Sequence, residues 1–147
     1  MSEATFRQAY DLLCDKPIGN GMSRAVFSSK ILPDCVVKVE EDGGRFQNVV
    51  EWETWQRVKG TPASRWFAEC RWISPNGTIL VMERTRPPAP NEFLASMPAY
   101  LCDFKRTNYG MIHGKPHDRL VCHDYGTHLM FEHGMTRRMA KVEWWDA

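Results

Sequence analysis

Two sets of side chains in this sequence could act on phosphate groups, and the first centres on a lysine. Lys38 lies inside the apolar run at residues 36–39, where its ammonium group must reach solvent or pair with a carboxylate or an anion. The helix predicted next along the chain offers Glu51 and Glu53 as partners, and helical periodicity does not decide between them. A lysine held in this way could bind the phosphates of a ligand. An edge-strand lysine that reaches solvent is the alternative.

The second set lies in the loop at residues 103–108, whose sequence is Asp-Phe-Lys-Arg-Thr-Asn. Asp103 could orient or deprotonate a hydroxyl group, and Lys105 could neutralise a phosphate during its transfer. The side-chain oxygen of Asn108 could ligate a hard cation such as Mg²⁺. Taken alone, the pattern also fits a solvated polar turn.

Two more features complete the candidate chemistry. Asp124 follows the apolar pair 120–121 and precedes Gly126, so it stands at the end of a predicted strand, where a carboxylate can ligate a metal. Gly19 and Gly21 form a turn between two predicted strands, and glycines in such a turn let the backbone approach a phosphate closely. Each feature alone is common in turns that bind nothing.

The elements that must position these residues follow from hydrophobic patterning and turn residues. We predict a helix over 2–14, capped by Ser2, and a second helix over 46–58. Apolar and β-branched runs indicate strands at 25–27, 35–39, 66–73, 78–82 and 120–122. The segment 86–90, Arg-Pro-Pro-Ala-Pro, is a stiff linker. A further helix is predicted from apolar residues that recur at helical spacing, Met135, Met139, Val142 and Trp145.

Composition and charge narrow the class of protein. The length of 147 residues predicts a single domain, and 43% hydrophobic with 25% charged residues is typical of a globular protein. The net charge is +1 and neither half carries a basic excess, so no nucleic-acid partner is expected. We expect no membrane span and no secretory signal. The five cysteines are odd in number and widely spread, which favours free thiols in the cytoplasm.

The order of these motifs resembles the protein-kinase-like superfamily over about residues 17–126. The matching positions are Gly19, Gly21 and Val26 in the glycine-rich loop, Lys38 in the following strand, Asp103, Lys105 and Asn108 in the catalytic loop, and Asp124-Tyr125-Gly126 in place of D-F-G. Residues 80–85 resemble the strand that runs into the adenine-binding segment, with Met82 as gatekeeper and Glu83 to Thr85 facing the adenine. The resemblance favours Glu51 over Glu53 as the partner of Lys38.

The resemblance implies an α+β, minimal kinase-like bilobal fold that binds ATP and Mg²⁺. Residues 1–85 would form a small lobe with an antiparallel sheet and one main helix, and residues 86–147 a reduced large lobe. The implied roles are phosphate positioning by Lys38 and Glu51, Mg²⁺ binding by Asn108 and Asp124, hydroxyl orientation by Asp103 and charge neutralisation by Lys105. In its compact length and in the short segment after Asp-Tyr-Gly, the sequence resembles small kinase-like proteins of bacteriophages and prophages. The partner of such a protein would be a host protein in the host cytoplasm.

Three departures from the kinase pattern stand out. Arg24 occupies the position of the third loop glycine, where it would crowd or clasp a phosphate. Leu101-Cys102 replaces the His-Arg that precedes the catalytic aspartate, so the usual scaffold of that loop is missing. No A-P-E motif follows Gly126, and the residues after it are too few for the helical substrate platform of ordinary kinases.

Two functions of other classes compete with phosphotransfer. A catalytically inactive, pseudokinase-type protein could bind or inhibit a host protein, since six tryptophans favour an interface, although core packing explains them equally well. Five histidines between residues 113 and 133, together with Cys122, could instead form a zinc-binding module. Phosphotransfer to a small molecule is a weaker variant, because enzymes of that kind usually keep a larger second lobe.

Overall fold

The computed structural model describes residues 2–20, 24–41 and 45–146, which form an α+β fold. The helices are α1 (Glu3–Leu13), α2 (Gln47–Val58) and the single turn α3 (Met130–His133). The strands are β1 (Pro17–Asn20), β2 (Arg24–Ser28), β3 (Cys35–Glu40), β4 (Cys70–Ile73), β5 (Ile79–Glu83), β6 (Ser96–Pro98), β7 (Tyr109–Ile112), β8 (Arg119–Cys122) and β9 (Met139–Lys141). Short 3₁₀ helices cover Pro62–Trp66, Pro90–Glu92 and Arg106–Asn108.

The chain divides into two compact units. The first contains the residues up to Arg57 and Glu69–Arg84, and the second contains Val58–Ala68 and the residues from Thr85 onward. The segment Val58–Ala68 joins the second unit because it pairs with β8 of that unit. Phe67 forms an isolated bridge with Cys122, and the backbone N–H of Ala68 donates to the carbonyl of Cys122 at 2.9 Å.

An antiparallel sheet of five strands forms the frame of the first unit, in the order β1-β2-β3-β5-β4. The strands predicted at 35–39 and 78–82 are confirmed by β3 and β5. Both are buried along most of their length, as expected for the apolar centre of a sheet. The helix predicted at 46–58 is confirmed by α2, which is the main helix of this unit.

Helix α1 also begins where the sequence predicts. The hydroxyl of Ser2 accepts a hydrogen bond from the backbone N–H of Thr5 at 3.1 Å, which satisfies one of the free donors at the helix start. The ring of Tyr10 packs edge-on against Phe27 of β2, with centroids 5.4 Å apart. No residue of α1 is buried, so the helix lies on the surface of its unit.

The second unit contains two separate antiparallel pairs among its described residues, β6–β9 and β7–β8. Its centre holds the fully buried rings of Phe67 and Tyr125, which pack edge-on with centroids 4.9 Å apart. The hydroxyl of Tyr125 donates to the carbonyl of Ala68 at 2.8 Å, so the segment 58–68 and the Asp-Tyr-Gly motif are fixed to each other.

The helix predicted from Met135 to Trp145 is wrong. Residues Met139–Lys141 form β9 instead, which pairs with β6, and the backbone N–H of Val142 donates to the carbonyl of Ala95 at 3.0 Å. Helical spacing stabilises a helix only when the apolar residues share one buried face. Here Val142 is buried, whereas Met135, Met139 and Trp145 are 44–47% exposed.

Within the described residues, no helix has both the length and the apolar character that crossing a membrane requires.

Candidate functional site

The predicted nucleotide-binding residues of the first unit lie largely on one face of its sheet. Gly19 pairs with Val26, and Val26 pairs with Lys38, so the three form one row across β1, β2 and β3. Directly paired residues of antiparallel strands share a face, and so do residues two apart in one strand. Val36 pairs with Met82, and therefore the fully buried Met82 lies on the face of Lys38.

The ammonium group of Lys38 pairs with Glu51 of α2. The Nζ–Oε1 distance is 2.8 Å, and the glutamate side chain is completely buried. Glu53, the other candidate, is exposed. The thiol of Cys70 in β4 donates to the backbone carbonyl of Glu51 at 3.6 Å, which fixes this turn of the helix to the sheet. The lysine is 4% exposed, so its charge is carried inside the unit and not at an edge.

Glu51 has a second cationic partner that sequence reasoning missed. Nη1 and Nη2 of Arg24 donate to the two carboxylate oxygens of Glu51 at 2.7 and 3.0 Å, and Nη1 also donates to Oδ1 of Asn48 at 3.1 Å. Strand alternation could have indicated this partner. Arg24 stands two residues before Val26, so it lies on the same sheet face as Val26 and Lys38. Burial raises the pKa of Glu51, but the charges of Lys38 and Arg24 outweigh it and lower the pKa to about 2.

The start of α2 is anchored to β3 by polar contacts. The carboxylate of Glu40 accepts the backbone N–H groups of Gln47 and Asn48 at 2.9 and 3.0 Å, which satisfies donors that a helix start leaves free. The side-chain amide of Asn48 donates to the carbonyls of Lys38 at 3.1 Å and Gly77 at 3.0 Å. These bonds set the position of the helix, and Glu51 follows one turn later.

Three predicted nucleotide-binding residues are not part of this sheet face. Glu83 follows Met82 and therefore points to the opposite face, where its carboxylate lies 4.0 Å from the guanidinium of Arg71. Thr85 belongs to the second unit. Gly21 lies outside the described residues.

In the second unit, Asn108 holds the predicted catalytic aspartate. Its Nδ2 donates to the backbone carbonyl of Asp103 at 3.1 Å and to the Oδ2 of the same residue at 3.0 Å. Asp103 is exposed and has a φ of 54°, a left-handed conformation that Asp and Asn tolerate better than most residues. No described residue donates to Oδ1 of Asn108, which leaves that oxygen able to ligate a cation.

Lys105 is directed toward an aromatic ring. Its Nζ lies 5.8 Å from the ring centroid of Trp145, within the range of a cation–π interaction. The backbone of the loop pairs with the same tryptophan, since the N–H of Arg106 donates to the carbonyl of Trp145 at 2.9 Å. The N–H of Trp145 in turn donates to the carbonyl of Phe104 at 3.1 Å. The segment that was predicted to be a helix thus supports the candidate catalytic loop.

Asp124 is exposed two residues after the end of β8, and the residues around it are anchored. Its backbone carbonyl accepts the thiol of Cys122 at 3.2 Å, and the next residue is the buried Tyr125. The backbone N–H of His123 donates to the carbonyl of Asn108 at 3.0 Å. Asn108 and Asp124 are the two residues predicted to hold a metal. The structure places the backbone of His123, which precedes Asp124, next to Asn108.

The histidines proposed as zinc ligands take part in separate interactions. His113 lies 3.2 Å from a carboxylate oxygen of Asp118, and Nδ1 of His128 accepts the backbone N–H of Met130 at 3.2 Å. In the part of the chain that the structure describes, no three His, Cys, Asp or Glu side chains are grouped so that they could hold a metal ion. All five cysteines are free thiols.

The chain matches no protein-family model, and the search of curated proteins finds no match either. The interpretation of the site therefore depends on the motifs and on the geometry described above.

Proposed function

We propose that this chain is a minimal, kinase-like ATP-binding protein that uses Mg²⁺ and transfers phosphate to a hydroxyl group of a partner protein. The observation that carries the proposal is the buried ion pair between Lys38 of β3 and Glu51 of α2. Active protein kinases require a strand lysine paired with a helix glutamate, because this lysine contacts the phosphates of ATP. The order of the other motifs agrees with the same assignment.

The first unit would bind the nucleotide. Lys38 contacts the α- and β-phosphates, and Gly19 with Gly21 lets the loop backbone approach them. Val26 and Met82 contact the adenine. The row of Gly19, Val26 and Lys38 on one sheet face supports this assignment, as does the position of Met82 on the same face.

The second unit would hold the metal and the acceptor. Asn108 and Asp124 ligate Mg²⁺, which offsets the charge of the phosphates. The acceptor oxygen forms a bond to the γ-phosphorus as the bond from that phosphorus to ADP breaks, and Asp103 accepts the hydroxyl proton. Lys105 offsets charge on the γ-phosphate, and release of its ammonium group from the ring of Trp145 costs only about 0.5–1 kcal/mol at a surface site.

A titration of the full chain with ATP and Mg²⁺, followed by calorimetry, tests nucleotide binding. We expect wild-type protein to bind, and Lys38→Met to bind at least tenfold more weakly. Lys30→Met is the matched control, because the Lys30 side chain is 80% exposed in the same unit. Absence of binding to the wild-type protein would contradict the proposal.

A second candidate function is that of a pseudokinase-type binder of a host or partner protein. One observation favours it. Arg24 replaces a loop glycine and occupies both carboxylate oxygens of Glu51, the group that Lys38 also uses. In that case an Asp103→Ala/Asp124→Ala double variant should retain full partner binding and full biological effect. Loss of the biological effect in this folded variant would favour catalysis.

A further inference from the structure

The imidazole of His123 connects two segments of the second unit. Nδ1 lies 2.7 Å from the hydroxyl of Thr85, just before the linker, and Nε2 lies 2.7 Å from the backbone carbonyl of Thr107. The backbone N–H of the same histidine donates to the carbonyl of Asn108 at 3.0 Å. One residue therefore contacts two consecutive carbonyls of the candidate catalytic loop.

These contacts define the proton positions on the ring. A backbone carbonyl only accepts hydrogen bonds, so Nε2 must carry the hydrogen that points to Thr107. In the neutral ring Nδ1 then has a lone pair, which accepts the hydroxyl proton of Thr85. The carbonyl of Thr107 thus selects the tautomer, and the hydroxyl of Thr85 satisfies the remaining ring nitrogen.

The strand β7 leaves room for this arrangement only because it has a glycine at residue 110. A Cβ added to Gly110 would lie 2.2 Å from the hydroxyl oxygen of Thr85 and 2.9 Å from Nδ1 of His123. Both distances are shorter than real Cβ contacts. The contact between Thr85 and His123 is therefore packed against the backbone of β7.

We propose that His123, held by Thr85, is a positioning residue for the loop that carries Asp103 and Asn108. The inference rests on the proposed function for its meaning in catalysis. In the kinase pattern, a His-Arg pair before the catalytic aspartate supports this loop, and Leu101-Cys102 stands in its place here. We assign that supporting role to His123. The connection runs through hydrogen bonds, from His123 to the carbonyls of Thr107 and Asn108, and from the Asn108 amide to Asp103.

Because its backbone carbonyl is held by His123, Asn108 cannot change its φ and ψ torsions freely. Its Nδ2 donates to Asp103, so the side-chain amide has a fixed orientation and its Oδ1 is positioned to ligate a cation. Without the imidazole contact, the carbonyl of Thr107 would lose its partner and the loop would sample other conformations. The left-handed backbone of Asp103, with its φ of 54°, makes the loop conformation depend on such support.

The test uses NMR of the full chain, without nucleotide. Thr85→Val removes the hydroxyl and keeps the side-chain shape, whereas Thr85→Ser keeps the hydroxyl. Thr127→Val makes the same change at an exposed threonine of the second unit and is the matched control. The measurements are the ¹⁵N shifts of the His123 ring and the hydrogen-exchange rate of the Asn108 side-chain amide.

We expect the wild-type ring to be protonated at Nε2, and the Asn108 amide to exchange about tenfold faster in Thr85→Val, the change that an ordinary hydrogen bond produces. Thr85→Ser and Thr127→Val should exchange at the wild-type rate. His123→Leu should match Thr85→Val, and His123→Gln should recover part of the loss, because its amide can donate toward Thr107.

A wild-type ring protonated only at Nδ1 would overturn the proposal. So would wild-type exchange of the Asn108 amide in folded Thr85→Val and His123→Leu proteins. If Thr85→Val does not fold, the wild-type tautomer and the His123→Gln protein decide the same question.

Phosphotransfer is measured separately on the same variants. We expect kcat to fall about tenfold in His123→Leu while KM for ATP stays unchanged, as for a group that positions catalytic residues without binding nucleotide. Because neither NMR measurement needs ATP, a wild-type protein that transfers no phosphate would refute the proposed function alone. The positioning inference would then stand or fall on the ring tautomer and the amide exchange.

Discussion

Arg24 donates to both carboxylate oxygens of Glu51, at 2.7 and 3.0 Å, inside the first unit. The two residues are 27 positions apart in sequence, and both side chains are at most 7% exposed. The fork of a guanidinium matches the two oxygens of a carboxylate, so this pair has a defined geometry that a lysine could not reproduce. Glu51 thus joins β2, β3 and α2 through charged contacts.

Replacement of Arg24 should destabilise the protein strongly. Arg24→Met keeps the apolar stem but leaves Glu51 with less compensating charge, and loss of one partner of a buried ion pair costs about 3 kcal/mol or more. We expect a clear fall in the urea midpoint. Arg7→Met, at an exposed position of α1, should leave the midpoint unchanged. Equal stability of the two variants would contradict the buried pairing.

The charge of Glu51 should make stability depend on acid pH. Its pKa in the folded protein is about 2, below the ordinary value of 4.5, so the stabilisation is present above pH 4.5 and is lost as the pH falls toward 2. The full effect is about 3 kcal/mol, at 1.36 kcal/mol per pKa unit. Urea unfolding of wild type and Glu51→Gln from pH 7 to pH 2 measures it.

We expect the advantage of wild type over Glu51→Gln to shrink across that pH window, because protonation makes the two side chains alike in charge. Glu53→Gln is the control, since Glu53 is exposed in the same helix, and its difference from wild type should stay small at every pH. A pH-independent gap between wild type and Glu51→Gln would argue against a charged Glu51.

Asp103→Asn should separate catalysis from folding. Asparagine tolerates the φ of 54° at this position, so the thermal midpoint should change little, whereas Asp103→Val should lower it because a β-branched residue resists that conformation. If Asp103 is the acceptor of the hydroxyl proton, Asp103→Asn lowers kcat by about 10²- to 10⁴-fold. ATP binding by calorimetry should remain at the wild-type affinity. Unchanged kcat would remove Asp103 from the mechanism.

The two neighbouring tryptophans should differ sharply in their effect on stability. The ring of Trp144 packs against Phe93, Phe104 and Tyr109, with centroids 4.9–5.4 Å apart, and its indole N–H donates to the carbonyl of Leu94 at 2.7 Å. Trp144→Ala should cost about 3 kcal/mol. Trp145→Ala, at a ring that is 46% exposed, should cost less than half as much in the same chemical denaturation experiment.

The sequence pattern predicted those helices and strands whose stabilising signals lie within their own segments. Helix α1 follows from the capping hydroxyl of Ser2 and the spacing of Phe6, Tyr10 and Leu13, and β3 follows from its apolar run. Lys38 was identified because a charge inside such a run must either reach solvent or pair with an opposite charge. The kinase-like arrangement itself remains a prediction.

Other features depend on partners far away in sequence, which periodicity does not report. Residues Met139–Lys141 form a strand because their backbone pairs with β6. This pairing outweighs the helical spacing of the neighbouring apolar residues. The segment 58–68 joined the second unit through its bonds to Cys122 in β8. The ion pair between Arg24 and Glu51 likewise depends on the register of β2 against β3, which the sequence pattern alone does not define.

The pairing of Trp145 with Phe104 and Arg106 also has a consequence for the order of events during synthesis. Domains tend to form as the ribosome releases them, and the sheet of the first unit is complete once β5 has emerged. The loop at 103–108 must wait for Trp145, and Phe67 must wait for β8. On the ribosome, the part of the chain assigned to phosphotransfer would therefore mature last, after the part assigned to nucleotide binding.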